Sequence, residues 1–334
     1  MNCLSWNCRG VGNKPTVRDL VALVWATESK IVFLCETRQS AEKVRRLRAR
    51  LGLRGFAGVD SVGLSGGLAL FWCDQMYVDV KDSNERYIDA YVRVSPSAPM
   101  WRLTCVYGEP RTENRHRMWA TMQNLKVQSD LPWCVIGDFN EALWSFEHMS
   151  ATPRSEPQMQ AFRDVLETCN LVDLGFQGLP FTYDNKQRRN RNVKVRLDRA
   201  VADNNWRNLF SAAKVVHQVS PCSDHLPILL KCVADEEKVY RPSFRRYEIF
   251  WERDASLQER IANAWEEAGA KFNLGDVREG LKSLLLNLYA WGKKRFGNVT
   301  RELEKSRTKL EELLNMNVDR DEIKKVSDHM NELL

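Results

Sequence analysis

Two polar clusters in this chain stand against short apolar runs, and their side chains are of the kinds that handle water and phosphate. Gly137-Asp138-Phe139-Asn140 follows Trp133-Cys134-Val135-Ile136, and Ser223-Asp224-His225 precedes Leu226-Pro227-Ile228-Leu229-Leu230. An apolar run of that length reads as a buried strand, and polar residues at its end read as a site at a sheet edge. Carboxylates, an amide and a histidine are the parts needed to bind a hard cation and activate water. Three more places repeat the pattern. Trp6-Asn7 ends the first run, Glu36-Thr37 follows Val32-Phe33-Leu34-Cys35, and Asp198 lies within Val195-Arg196-Leu197-Asp198-Arg199. That recurrence favours one convergent site over scattered loops.

Each residue also has a plainer reading. Glu36 alone reads as a capping or surface carboxylate. Asp138 and Asn140 share a face if the chain stays extended, with an Asx turn as the equal alternative. A histidine is usually a hydrogen-bonded structural group, but adjacency to Asp224 at a strand start favours function for His225. From Lys186 to Arg199 seven basic residues face Asp198 alone. Such a run is commonly a solvated loop, and its nearness to Asp198 favours contact with backbone phosphates.

The elements that must position these residues are short. Strands are expected at Leu4–Asn7, Ile31–Cys35, Gly67–Trp72, Ile88–Val94, Arg102–Tyr107, Trp133–Gly137, Val195–Val201 and Pro227–Val233. Helical periodicity falls at Thr16–Thr27, Ala41–Leu51, Arg115–Lys126 and Glu156–Cys169. No helix-length pattern separates the strands between Gly67 and Tyr107, so these should pair antiparallel. An α/β (α+β) arrangement of two facing sheets with helices outside would bury that many strands. These elements fill residues 1–235. Residues 236–256 read as a basic-aromatic linker, and 257–334 as a helical extension. Leu303, Leu310 and Leu314 share one helical face, as do Ile323, Val326, Met330 and Leu333, with a turn expected at Asn315–Asp319. Neither Gly nor Pro stops the pattern before Leu334, so the segment is expected to continue into something longer.

Bulk properties narrow the class. The 334 residues are 43% hydrophobic and 28% charged, with a net charge of +6 that leans towards an acidic partner such as nucleic acid. The nine cysteines have no regular spacing, and Cys35, Cys105 and Cys134 lie inside apolar runs, which argues against a structural zinc site. The first residues have no signal-peptide pattern and no apolar run has membrane-spanning length, so an intracellular, reducing location is expected.

Together the motifs carry a resemblance. Ser5-Trp6-Asn7-Cys8-Arg9-Gly10, Leu34-Cys35-Glu36-Thr37, Gly137-Asp138-Phe139-Asn140, Arg196-Leu197-Asp198 and Ser223-Asp224-His225 occur in the order seen in the endonuclease/exonuclease/phosphatase superfamily, and the chain looks like its apurinic-endonuclease-type branch. More narrowly, Gly63–Trp72, Leu171–Phe176 and Pro180–Tyr183 resemble plant non-LTR (LINE-type) retrotransposon endonucleases. The helical tail resembles the connector that precedes reverse transcriptase in such polyproteins.

The resemblance implies a four-layered α/β sandwich and a divalent-metal phosphodiesterase acting on DNA, nuclear at its site of action and without a membrane role. By motif, Glu36 would bind Mg²⁺ (with Mn²⁺ as a substitute), Asn7 would sit beside it, and Asp224 would assist. Asp138 would activate water, Asn140 would position water or phosphate, and Asp198 would hold His225 protonated against a phosphate oxygen. Thr182 would bond the phosphate or support the Asp/His set, and Arg188, Arg189 and Arg191 would contact backbone phosphate. Many superfamily members place a catalytic tyrosine after the strand that here ends at Tyr107, and Arg115 is the nearest equivalent in the following segment. Arginine can grip a phosphate but cannot act as a phenol. Magnesium prefers few carboxylates and retained waters, which suits this set. Competing readings are a phosphatase acting on a phosphorylated small molecule or lipid head group, and a catalytically idle nucleic-acid-binding remnant.

Overall fold

The structure, a computed structural model, describes residues 1–63, 65–232, 247, 251–252, 254–269, 272–296, 299–316 and 320–333. The chain divides into two compact units, Met1–Asp235 and Glu236–Leu334.

In the first unit the strands run, in chain order, Asn2–Asn7 (β1), Ile31–Cys35 (β2), Gly55–Val62 (β3), Ser65–Trp72 (β4), Tyr77–Ser83 (β5), Tyr87–Arg93 (β6) and Trp101–Tyr107 (β7). Then come Trp133–Asp138 (β8), His148–Met149 (β9), Val172–Asp173 (β10), Tyr183–Asp184 (β11), Lys194–Val195 (β12), Asp198–Ala202 (β13), Lys214–His217 (β14) and Ile228–Lys231 (β15). One six-stranded sheet has the order β14-β15-β1-β2-β4-β3, the other β10-β13-β8-β7-β6-β5, and β11-β12-β9 form a small third sheet. Each large sheet is mixed, with one parallel pair, β1/β2 or β7/β8, among antiparallel neighbours.

Alternation along the strands builds the layers. In β8, Cys134 and Ile136 join the core between the large sheets, with Cys3 and Phe33. Trp133 and Val135 point the other way, into a cluster with Met118, Met122, Phe162 and Val165. Those four come from helices Arg115–Lys126 and Glu156–Thr168, which cover the second sheet. Leu20 and Leu23 of helix Lys14–Ala26 pack on the first sheet. That helix starts where Asn13 accepts the Thr16 amide and Pro15 sits in the first turn. The result is the four-layered α/β sandwich with two facing mixed sheets and helices outside.

Some elements depart from expectation. Ala41–Leu51 is two short helices, Ala41–Arg45 and Arg48–Leu51. A continuous helix would set Arg45 near Arg48 and Arg46 near Arg50, like charges at unfavourable spacing. The expected strand Val195–Val201 is β12 and β13, which belong to different sheets. The break falls where the amides of Leu197 and Asp198 both donate to the Thr182 hydroxyl instead of to a ladder. β3, β5, β10 and β14, which escaped the sequence reading, are the four outer strands of the two large sheets. Edge strands carry weaker apolar alternation because part of their surface meets solvent.

The second unit holds helices Leu257–Glu267, Leu274–Phe296, Val299–Met316 and Arg320–Leu333. Trp251, Leu257 and Leu288 form one cluster. The last two helices pack on each other, burying Leu303, Leu310, Leu313 and Met330. Leu313 takes the fully buried place expected for Leu314, which is half-buried. The linker 236–256 falls mostly outside the described residues, as do 317–319 of the expected turn. Among the described residues no helix is long and apolar enough to cross a membrane.

Candidate active site

Parallel pairing brings strand ends together. β1 pairs with β2 so that Asn7 lies opposite Cys35, and β7 with β8 so that Tyr107 lies opposite Asp138. β13 runs antiparallel to β8 and starts with Asp198 beside Asp138. The close approach of β7 to β8 depends on Gly137. Its φ is +150°, and a Cβ there would lie 2.0 Å from the Val106 carbonyl oxygen. His225 is fixed from three sides: its amide donates to Ser223 Oγ (3.1 Å), Ser223 Oγ donates to the Asn7 carbonyl (2.8 Å), and Trp6 Nε1 donates to the His225 carbonyl (3.1 Å).

Asn7, Glu36, Asp138, Asp198 and His225 therefore converge. Asn7 Nδ2 donates to Asp138 Oδ2 at 2.9 Å and to Glu36 Oε1 at 3.3 Å. Asp198 Oδ2 lies 2.8 Å from His225 Nδ1, and Asp138 Oδ2 lies 3.9 Å from it. Asn140 adopts φ +56°, and its amide donates to Asp138 Oδ1 at 2.8 Å, so the Asx turn is what forms. The Asn140 side chain still reaches the Gly108 carbonyl (2.9 Å) and Asp138 Oδ2 (3.4 Å).

The environment separates the carboxylates. Burial, then the neighbouring Asp198 charge, pushes Asp138 well above the ordinary carboxylate range, although His225 opposes this. Burial would lower His225, but Asp198 and then Asp138 outweigh it and raise the imidazole to about 9, so it is charged at neutral pH. For Glu36 burial is opposed by hydrogen bonds from Arg38, Asn7 and Tyr107, and the net shift is downward.

Tyr107 was missed by the sequence reading. Its hydroxyl donates to Glu36 Oε1 at 3.0 Å, and burial and then the Glu36 charge hold it protonated. The signal was present, since Tyr107 ends an apolar run just as Asn7 and Asp138 do. Arg115, read as a phosphate contact, is a correction. Its guanidinium is buried against Glu141 and bonded to the carbonyls of Glu109 and Pro110. Arg9 and Arg38 were also missed: Arg9 pairs with Asp224, and Arg38 Nη2 lies 2.6 Å from Glu36 Oε2. Thr182 is buried, and its oxygen receives the Asp198 amide, which supports the Asp/His set.

The basic run forms the hairpin between β11 and β12. Lys186, Gln187, Arg188, Asn190 and Arg191 line a cavity of about 660 Å³ there, and Lys186 Nζ donates to the Ser223 carbonyl at 2.7 Å. Arg189 lies in the turn Arg189–Arg191, but its side chain lies outside the described residues.

The sequence profile of the Endonuclease/Exonuclease/phosphatase family matches residues 4–225. The chain belongs to that family. Members are phosphodiesterases and nucleases, generally dependent on divalent metal, and hydrolysis is the chemistry that membership supports. Solved structures share the fold. An AP endonuclease from Leishmania major, LMAP, is 15% identical with a TM-score of 0.54, over 69% of this chain and 86% of that one. An AP endonuclease from Archaeoglobus fulgidus is 15% identical with a TM-score of 0.54, over 69% and 98%. The 3'-5' exonuclease NExo from Neisseria meningitidis is 16% identical with a TM-score of 0.52, over 69% and 99%. No curated protein matches the chain.

Two groups of side chains suit a metal of this family differently. Asp138, Asp198 and His225 bring one ligand atom each within 4.8 Å of one another. A protonated imidazole has no lone pair for a cation, so its pairing with Asp198 works against that trio. Glu36, Asn7, Asp138 and Asp224 offer oxygen donors alone, which fit a hard divalent ion.

Proposed function

We propose that this chain is a metal-dependent DNA endonuclease that nicks one strand, as LINE-type retrotransposon endonucleases do. The observation that carries this reading is the split pair of acids: Asp138 is raised towards neutrality while Asp198 holds a charged His225 only 2.8 Å away. A carboxylate poised near neutral pH suits a general base that removes a proton from water. A fixed imidazolium suits a phosphate oxygen whose negative charge grows in the transition state. Asn7 and Asn140 orient the Asp138 carboxylate through three hydrogen bonds. Tyr107, with its phenol protonated against Glu36, fixes that acid.

Glu36 with Asn7 would hold Mg²⁺, or Mn²⁺ in its place, with Asp224 nearby and paired to Arg9. When bound, the ion supplies charge stabilisation to phosphate oxygens. Lys186, Arg188 and Arg191 would take the phosphate backbone flanking the scissile bond, the source of sequence-independent affinity. The retrotransposon motifs and the helical tail support a place beside a reverse transcriptase. Asp198→Ala would be less informative than its neighbours, because His225 would lose both charge and orientation together.

Nicking of supercoiled plasmid in Mg²⁺ tests the reading, with wild type, Asp138→Ala and His225→Ala compared. Removing a general base or a charge-stabilising group costs on the order of 100- to 1,000-fold. Equal nicking by all three proteins, or none by wild type with Mg²⁺ or Mn²⁺, overturns it.

A further inference from the structure

We infer that Arg9 is a built-in cation of the site, neutralising Asp224 and bridging it to Glu36 so that the site takes fewer divalent ions than its carboxylates would otherwise hold. The inference rests on the phosphodiesterase reading of the same site and concerns its metal stoichiometry.

The guanidinium of Arg9 is paired with Asp224, and its Nε lies 3.9 Å from Glu36 Oε2. The two carboxylates come from opposite ends of the first unit. Glu36 follows β2, and Asp224 stands shortly before β15. Arg38 approaches Glu36 at 2.6 Å. On this side of the site two carboxylates, Glu36 and Asp224, thus meet two guanidiniums, Arg9 and Arg38. A divalent ion that took Asp224 as a ligand would have to displace the Arg9 guanidinium.

The backbone holds Arg9 in place. Its φ is +45°, and Glu36 and Arg38 have φ of +50° and +52°. These three non-glycine residues occupy the sparsely populated left-handed region, an arrangement that surrounding structure must impose and that concentrates at functional sites. The imposing contacts are visible. Cys8 donates to the Cys35 carbonyl (3.2 Å), Val11 to the Thr37 carbonyl (3.1 Å), and the Arg9 amide to Asn7 Oδ1 (3.3 Å). The loop after β1 is therefore laced to the loop after β2, and Arg9 is carried across the carboxylates. Arginine, with several donors in a planar fork, suits bridging two carboxylates better than a point charge does.

Mn²⁺ titration of the full chain, stripped of metal, reads free ion by electron paramagnetic resonance. The expected result is that Arg9→Met binds one more Mn²⁺ than wild type, or the same number at least about tenfold more tightly. Asp224→Asn in the same chain should abolish that gain, because the freed ligand is Asp224. Arg9→Gln serves if Arg9→Met fails to fold, with circular dichroism melting as the control. Unchanged or weaker Mn²⁺ binding in the folded variant overturns the inference, as does a gain that survives Asp224→Asn. Loss of plasmid nicking by wild type would sink the endonuclease reading, whereas the titration reports on Arg9 by itself.

Discussion

Two buried ionic clusters lie at opposite faces of β13, and they behave in opposite ways. At the candidate active site two acids, Asp138 and Asp198, face each other across the β8/β13 register and share one imidazole. Beyond them Glu147 and Asp173 are each bonded by both Arg196 and Arg199, at 2.8 to 3.3 Å. Burial acts on both sets. In the first, acid beside acid adds to burial, and Asp138 moves up. In the second, the guanidiniums overcome burial, and Glu147 and Asp173 move down. Buried charge alone does not mark a catalytic group. The ratio of acids to cations around it decides whether it is poised to exchange a proton or locked as a brace.

That contrast can be broken most directly through stability. Arg199 is fully buried, so Arg199→Met would remove one of the two guanidiniums that hold Glu147 and Asp173, leaving Arg196 alone against both acids. The expected cost is about 3–5 kcal/mol, seen as a fall in Tm of roughly 10 °C by calorimetry. Asp138→Asn should leave Tm at pH 8 unchanged or higher, since it removes a charge that the fold disfavours. Equal losses in the two variants would erase the distinction.

The same comparison has a pH signature. Glu147 and Asp173 have folded values below their unfolded ones, so their contribution is present above the ordinary carboxylate range and is lost as pH falls below that range through the folded values. Asp138 has a folded value above its unfolded one, so its ionisation costs stability as pH rises past that range. Melting curves from pH 3 to 8 should therefore show wild type weakening in acid. Any advantage of Asp138→Asn should appear only at the upper end, and an advantage at pH 3 would contradict the assignment.

The smallest effect concerns Tyr107. Tyr107→Phe removes one hydrogen bond to a charged acid, worth about 1.5–3 kcal/mol. Nicking should slow by about tenfold or somewhat more, and Tm should fall by roughly 5 °C. A rate equal to wild type would leave Tyr107 as packing only.

Much of this was legible beforehand because central strands announce themselves. β1, β2 and β8 are almost wholly buried and run apolar towards their ends, so the polar residue that closes each stood out: Asn7, Glu36 and Asp138. Edge strands did not, since solvent on one side relaxes the pattern. Within the helical unit the apolar stripe was right in period and off by one position at Leu313, because i+3 and i+4 neighbours are near-equivalent on a helix until a partner selects one.

What the sequence determined by itself was the inventory: which residue types stand at the ends of buried strands, and hence that acids, amides and a histidine can meet. Tertiary structure decided the pairings. It gave Arg9 to Asp224 and Arg115 to Glu141, and it turned the Tyr107 hydroxyl onto Glu36. Charge state depends on what lies within a few ångströms, and for these groups the neighbours come from distant parts of the chain. Local pattern reports burial and periodicity but carries no record of those long-range distances, so it could name the reagents and not their ionisation.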